Sequence, residues 1–328
     1  MYQIPEKHVP RGWLPYPLIS LVLGAVLVLT TACGAPVSAG RATTSQGSSG
    51  SSTTHTGLVR VVVAENFWGS IVRQEAGSRA GVTSIITNPN ADPHAYEPTT
   101  GDARLFAQAQ YIVINGAGYD PWASRLLAAN PVQGRRILVI ADLIGKKQGD
   151  NPHLWYAPSY VTRVAARVTG DLSAADPHHA SYFRAQHARF INGALKGYFQ
   201  EIRSIKQHYR GVPVGATESI FDYLASALGL NLITPTGFMK ALSEGTEPTA
   251  QDKAMFDQQV SQKRMRVLAY NIQNAIPDVT ALVTKARSAH IPVVPITETL
   301  RPAGASFQAW QLGQLKALAA ALHTATGR

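Results

Sequence analysis

From Leu58 onward, short β-branched runs alternate with longer stretches whose apolar residues recur every three or four positions. The runs 58–63, 81–86, 111–114 and 136–140 read as strands, and 69–77, 102–109 and 122–129 as the helices between them. From about 177 to 209 no strand signal remains. Tyr182, Phe183, Phe190, Ile191, Leu195, Phe199, Ile202 and Ile205 fall on one face of a helix about 45 Å long at 1.5 Å per residue. A second set follows, with strands at 212–216, 230–233, 266–270 and 292–296. Its helices are 219–228, 249–262, 279–289 and 307–325, and the third residue after Thr249 is Asp252, a capping pattern. Strand-helix-strand repetition is the mark of parallel α/β packing. The expected fold is therefore α/β with two lobes, each a mainly parallel sheet flanked by helices, bridged by one long α-helix. The expected boundaries are 58–176 for the first lobe, 177–209 for the helix and 210–328 for the second lobe.

The segment ahead of Leu58 follows a different logic. Lys7 and Arg11 precede the apolar stretch 18–29, whose 12 residues are too few to cross a bilayer but match the core of an export signal. The small residues Thr30, Thr31 and Ala32 then lead into Cys33 and Gly34. Of the 24 residues from Gly34 to Gly57, 16 are Ser, Thr or Gly, with no apolar periodicity, so 33–57 reads as a flexible linker.

Composition narrows the chemistry. With 328 residues there is room for two cores, and at 45% hydrophobic and 15% charged residues the bulk of the chain is not disordered. Cys33 is the single cysteine, which excludes an intramolecular disulfide, a Cys-rich zinc module and a CxxC redox site. Any metal site must use His, Asp, Glu or carbonyl groups. The net charge of +10 comes from scattered Lys and Arg with no run longer than two and no nucleic-acid-binding signature, so no nucleic-acid partner is expected. None of the motifs GxSxG, HExxH or GxxxxGK[ST], nor GxGxxG after a strand, occurs, and the chain is read as a non-enzyme with no catalytic residues.

What remains is the polar residues just past the strand ends, where ligands bind in open α/β sheets. His94 lies a few residues beyond the second strand and His153 on the loop side of the fourth. Glu218 and Glu298 follow the strands 212–216 and 292–296. Two imidazoles and two carboxylates converging on one cleft would suit a divalent ion such as Zn²⁺ or Mn²⁺. Each has a plainer alternative: Glu218 as a cap for the helix that follows it, Glu298 as a surface carboxylate, either His as a structural residue. Asn66, past the first strand, is either a residue supporting the metal ligands or a turn residue before a helix. His178, His179, His187, His208, His290 and His323 are read as structural or exposed.

Residues 58–328 resemble the zinc and manganese substrate-binding proteins of ABC importers. Pro93-His94-Ala95-Tyr96-Glu97-Pro98 resembles the family's first metal-histidine motif. Asn151-Pro152-His153-Leu154-Trp155 resembles the second, with Asn151 where the family usually has Asp. The stretch from Thr217 to Tyr223 resembles the third motif, whose ligand tends to be His in zinc importers and Glu, as here, in manganese-type members. Thr297-Glu298-Thr299-Leu300 resembles the fourth, with Glu298 in place of the frequent Asp. The resemblance implies capture of Zn²⁺ or Mn²⁺ as cargo in the cleft between the lobes and delivery to an ABC permease and its ATPase. The segment around Cys33 resembles a bacterial lipoprotein signal, with Leu29 one place earlier than usual and Thr30 in its stead. It implies a signal peptide at 1–32 and a lipid on Cys33 that anchors a monomer at the extracytoplasmic face of the cell membrane. The plainer alternative is a secreted protein with a free thiol. A metal-dependent extracellular hydrolase and a metal-binding surface adhesin are the competing functions.

Overall fold

A computed structural model describes residues 58–328 apart from 92, 94, 95 and 275. The signal and linker segments, Cys33 and His94 lie outside the described residues. All eight expected strands form: β1 (Val59–Glu65), β2 (Ala80–Ile86), β3 (Tyr111–Ile114), β4 (Arg136–Val139), β5 (Pro213–Ala216), β6 (Asn231–Leu232), β7 (Val267–Asn271) and β8 (Val293–Ile296). They make two four-stranded sheets, ordered β2-β1-β3-β4 and β6-β5-β7-β8, with every pairing parallel. The two lobes thus repeat one topology. In each, the chain reverses direction across the sheet between its two central strands, β1 and β3 or β5 and β7, which opens a crevice at their carboxyl ends.

Both sheets are covered by helices, so the central strands are apolar on both faces; Val61, Val62, Val63, Ile112 and Val113 are all buried. Helix Asn66–Ala76 seats closely on β2 because residue 69 is glycine. A Cβ there would lie 2.0 Å from Ser84 Oγ. This helix starts three residues earlier than the sequence pattern suggests, since Asn66, Phe67 and Trp68 are buried on it rather than forming a turn.

The long connection is helical from Pro177 to Tyr209, but it is not one straight helix. A short 3₁₀ turn, Pro177–His179, leads into Ala180–Arg189, a π-type segment Phe190–Ala194, and then Lys196–Tyr209. The wider π turn shifts the apolar face by a residue, so that Leu195 and Tyr198 are buried after Phe190 and the anticipated Phe199 is only partly covered. Its first half leans on the first lobe. There the buried Glu75 accepts a hydrogen bond from Thr169 Oγ1 at 2.7 Å and pairs with His187 Nδ1 at 3.1 Å, and burial raises the Glu75 pKa. Its second half packs on helix Phe307–Thr326 of the second lobe.

Helices Pro158–Ala175 and Thr236–Ser243 also form, and the strand pattern of 136–140 ends one residue early because Ile140 opens the short helix Ile140–Ile144. No helix among the described residues is long and apolar enough to cross a membrane.

Candidate metal centre

Three of the anticipated residues meet where the carboxyl ends of the two sheets face one another. His153, Glu218 and Glu298 each offer a ligand atom, and these atoms lie within 4.8 Å of one another. All three side chains are buried, at 0%, 2% and 6% exposure. Around an ion with bonds of about 2.0–2.2 Å, neighbouring ligand atoms sit roughly 3–3.5 Å apart, so small movements would bring this set onto one cation. Two carboxylates and a neutral imidazole also match a divalent charge.

Each residue is aimed by its local structure. His153 precedes a single 3₁₀ turn, Leu154–Tyr156, that buries Trp155 against Phe67, the rings stacked 3.9 Å apart. Glu218 stands directly before the 3₁₀ turn Ser219–Phe221, yet its side chain makes no capping hydrogen bond. Its carboxylate instead accepts from Asn271 Nδ2 at 3.1 Å. The same amide nitrogen donates to Glu298 Oε1 at 2.9 Å, while Tyr119 Oη donates to Glu298 Oε2 at 2.9 Å. Glu298 is therefore not the exposed surface carboxylate of the plainer alternative. One amide from the end of β7 holds both acidic groups, and a phenol from the other lobe completes the grip. Beside them opens a cleft of about 1080 Å³, bounded by Ala117, Gly118 and Asn151 on one side and by Glu218, Ser219 and Glu298 on the other.

Tyr119 reaches the site on the loop after β3. Gly116 there has φ +77°, and a Cβ would meet Val139 Cγ1 at 2.7 Å, so this tight turn requires glycine. Asp120 closes the loop by accepting from the backbone of Asn115 at 2.6 Å and Gly116 at 2.8 Å. The Asn115 side chain accepts from Trp68 Nε1 and donates to the Pro152 carbonyl, both at 2.9 Å, which fixes the chain next to His153. Asn66, at the start of helix Asn66–Ala76, is buried. Its Oδ1 accepts from the backbone of Leu300 at 3.3 Å, two residues past Glu298.

The loop ahead of His94 is held from the second lobe. Gln273 Nε2 donates to the carbonyls of Pro89 and Ala91, and Thr299 Oγ1 to Pro89, so residues of the second lobe hold the loop that leads to His94. Gln273 Oε1 also accepts from the backbone of Glu298. Arg301 bonds Asn90 nearby. Tyr119, Asn271 and Gln273 were not anticipated from sequence. Asn271 and Asn115 sit at the ends of β7 and β3, where the strand-end rule would have found them had it been applied to amides as well as to imidazoles and carboxylates.

Beneath this layer Glu65, at the end of β1, faces Asp120 in the first lobe. Burial raises the Glu65 pKa well above the carboxylate range, and the neighbouring Asp120 carboxylate pushes it further the same way. Asp120 is raised too, by burial, against the lowering effect of its backbone donors. The native state thus holds a proton that the unfolded chain releases, and stability falls as pH rises above the ordinary carboxylate pKa. Glu65→Gln places a neutral amide beside Asp120 and removes the need for the proton. It should raise stability by roughly 1–2 kcal/mol at pH 7.5. Thermal melts should show this gain shrinking towards pH 5 and vanishing near pH 4, and equal melting of both proteins at pH 7.5 would contradict it.

Comparison with known proteins bears on the family and the fold. Residues 61–321 match the family described as zinc-uptake complex component A, periplasmic. The metal ABC transporter substrate-binding lipoprotein FimA of Streptococcus parasanguinis is 23% identical over 264 residues, covering 75% of this chain and 82% of that protein. The manganese-binding lipoprotein MntA of Halalkalibacterium halodurans is 22% identical over 220 residues, covering 65% and 68%. Among solved structures, the Mn-bound S38A mutant of a periplasmic metal-binding protein from Candidatus Liberibacter asiaticus shares the fold, with a TM-score of 0.67 at 16% identity over 81% of this chain and 99% of that one. With a family match spanning nearly the whole described region, the chain belongs to the zinc-uptake complex component A family.

Proposed function

We propose that this chain is the extracytoplasmic solute-binding component of an ABC importer. It captures Zn²⁺ or Mn²⁺ as cargo between its lobes and delivers it to a permease and its ATPase. The observation that carries this reading is the meeting of His153 from one lobe with Glu218 and Glu298 from the other, in a member of a zinc-uptake family. His94 is the fourth ligand in this reading, brought in on the loop held by Gln273 and Thr299. The site works by capture rather than turnover. Protein ligands from both sides replace the ion's water and leave no open position to activate a nucleophile. The helical bridge limits the lobes to a small rocking motion as cargo enters and leaves.

In the same reading the signal peptide spans 1–32, Cys33 carries the lipid, and 33–57 is the linker that holds the lobes 58–176 and 210–328, with their bridge 177–209, off the membrane as a monomer. Imidazole ligands must lose their protons to bind, so loading should weaken below about pH 6. Metal titrations at pH 7.5 and pH 5.5 are expected to differ by tenfold or more, and equal affinities would contradict the imidazole ligands. The hardness of two carboxylates favours Mn²⁺, whereas intrinsic affinity favours Zn²⁺. Metal analysis of protein purified without added metal, followed by competition between the two ions, tests the proposal. Purification metal-free with no uptake of either ion would overturn it.

A further inference from the structure

We propose that Asn151 is the positioning residue that selects which nitrogen of His153 is offered to the cation. The inference rests on the reading of His153 as a ligand and adds how that ligand is prepared. Asn151 Oδ1 accepts from the backbone of His153 at 3.1 Å and lies 2.8 Å from its Nδ1. The orientation of the amide is fixed from its other end, where Nδ2 donates to the Ser219 carbonyl at 2.7 Å. A carbonyl can accept only from a donor, so the amide nitrogen must face Ser219 and the amide oxygen must face the ring.

An oxygen acceptor at 2.8 Å requires the proton of the neutral imidazole to sit on Nδ1. The lone pair is then on Nε2, the nitrogen left to bind metal. Ser219 directly follows Glu218 and belongs to the other lobe. The residue that sets the tautomer is therefore itself set by the backbone beside a carboxylate ligand. Tyr223 Oη adds a second tie across the same gap, donating to the Asn151 carbonyl at 2.9 Å. Asn151 thus ties the orientation of the imidazole to the neighbouring lobe. Aspartate at this position would also accept from Nδ1, but it has no donor for the Ser219 carbonyl. The amide serves both contacts.

Nitrogen-15 spectra of the imidazoles in metal-stripped protein, with calorimetry of Mn²⁺ and of Zn²⁺ binding, test this on the wild type, Asn151→Ala, Asn151→Asp and His153→Ala. The wild type is expected to show His153 protonated at Nδ1. Asn151→Ala should lose that signature and bind 10–100-fold more weakly, while Asn151→Asp should retain the signature and stay within about tenfold of wild type. A wild-type His153 protonated at Nε2 would overturn the proposal on its own, even if Asn151→Ala failed to fold. So would Asn151→Ala with unchanged tautomer and affinity, or Asn151→Asp behaving like the alanine variant. Wild-type affinity in His153→Ala would instead overturn the ligand assignment, a separate failure that leaves the tautomer result standing.

Discussion

His153→Ala should bind Mn²⁺ and Zn²⁺ on the order of a thousandfold more weakly than wild type. Loss of a residue that merely supports a ligand costs 10–100-fold in such sites, and removing the ligand itself costs more. The substitution deletes the nitrogen donor that the first lobe contributes to the described cluster, and the two remaining carboxylates come from the second lobe alone. In the proposed reading the first lobe would then reach the ion through His94 alone. Competition calorimetry against a chelator of known affinity gives the comparison, and an affinity within threefold of wild type would remove His153 from the site. His153 is buried, so a melting curve of the metal-free variant is needed alongside to show that the fold persists.

Asn271→Ala should produce the other large effect, and in the opposite state of the protein. The Asn271 amide donates to Glu218 at 3.1 Å and to Glu298 at 2.9 Å, and so holds two buried carboxyl groups side by side. Hydrogen bonds to charged groups contribute about 1.5–3 kcal/mol each, with a further cost when a buried charge loses its donor. The metal-free variant is therefore expected to lose about 2–4 kcal/mol, or roughly 4–7 °C in melting temperature at the usual scaling for a folded region of this size. A divalent ion neutralises the same carboxylates, and saturating Mn²⁺ or Zn²⁺ should recover most of the loss. Equal destabilisation with and without metal would mean that Asn271 acts on packing rather than on the charge of the site.

The legible and illegible parts of this molecule divide along physical lines. All eight strands could be read because both faces of each sheet are covered, so buried strands such as Val61-Val62-Val63 appear as unbroken β-branched runs. Helix Pro158–Ala175 escaped for a related reason. Its buried face is carried by Val161, Val164, Val168 and Thr169, β-branched residues that obscure a helical period which Pro158 at its first turn would otherwise announce. The π segment at Phe190–Ala194 could not be read from spacing, because a five-residue step looks like a lapse in the pattern until the later apolar residues are seen to be displaced.

At the site, the two glutamates were visible as charged residues ending apolar strands, and His153 as an imidazole in a proline-bearing loop. The amides and the phenol that hold them were not. Asn271 closes a strand and Tyr119 follows a glycine-rich turn, places where such residues are common without any site nearby. Only the pairing of β5 with β7, and the approach of the β3 loop to the second lobe, brings them onto Glu218 and Glu298.

The central claim is that one cation is held between the lobes by donors from both. Crystals of the metal-loaded protein, measured at and below the absorption edge of the bound ion, test it most directly. The account predicts a single anomalous peak within coordination distance of His153, Glu218 and Glu298, with His94 closing the shell. A peak elsewhere on the chain, or one bound by ligands from a single lobe, would contradict it.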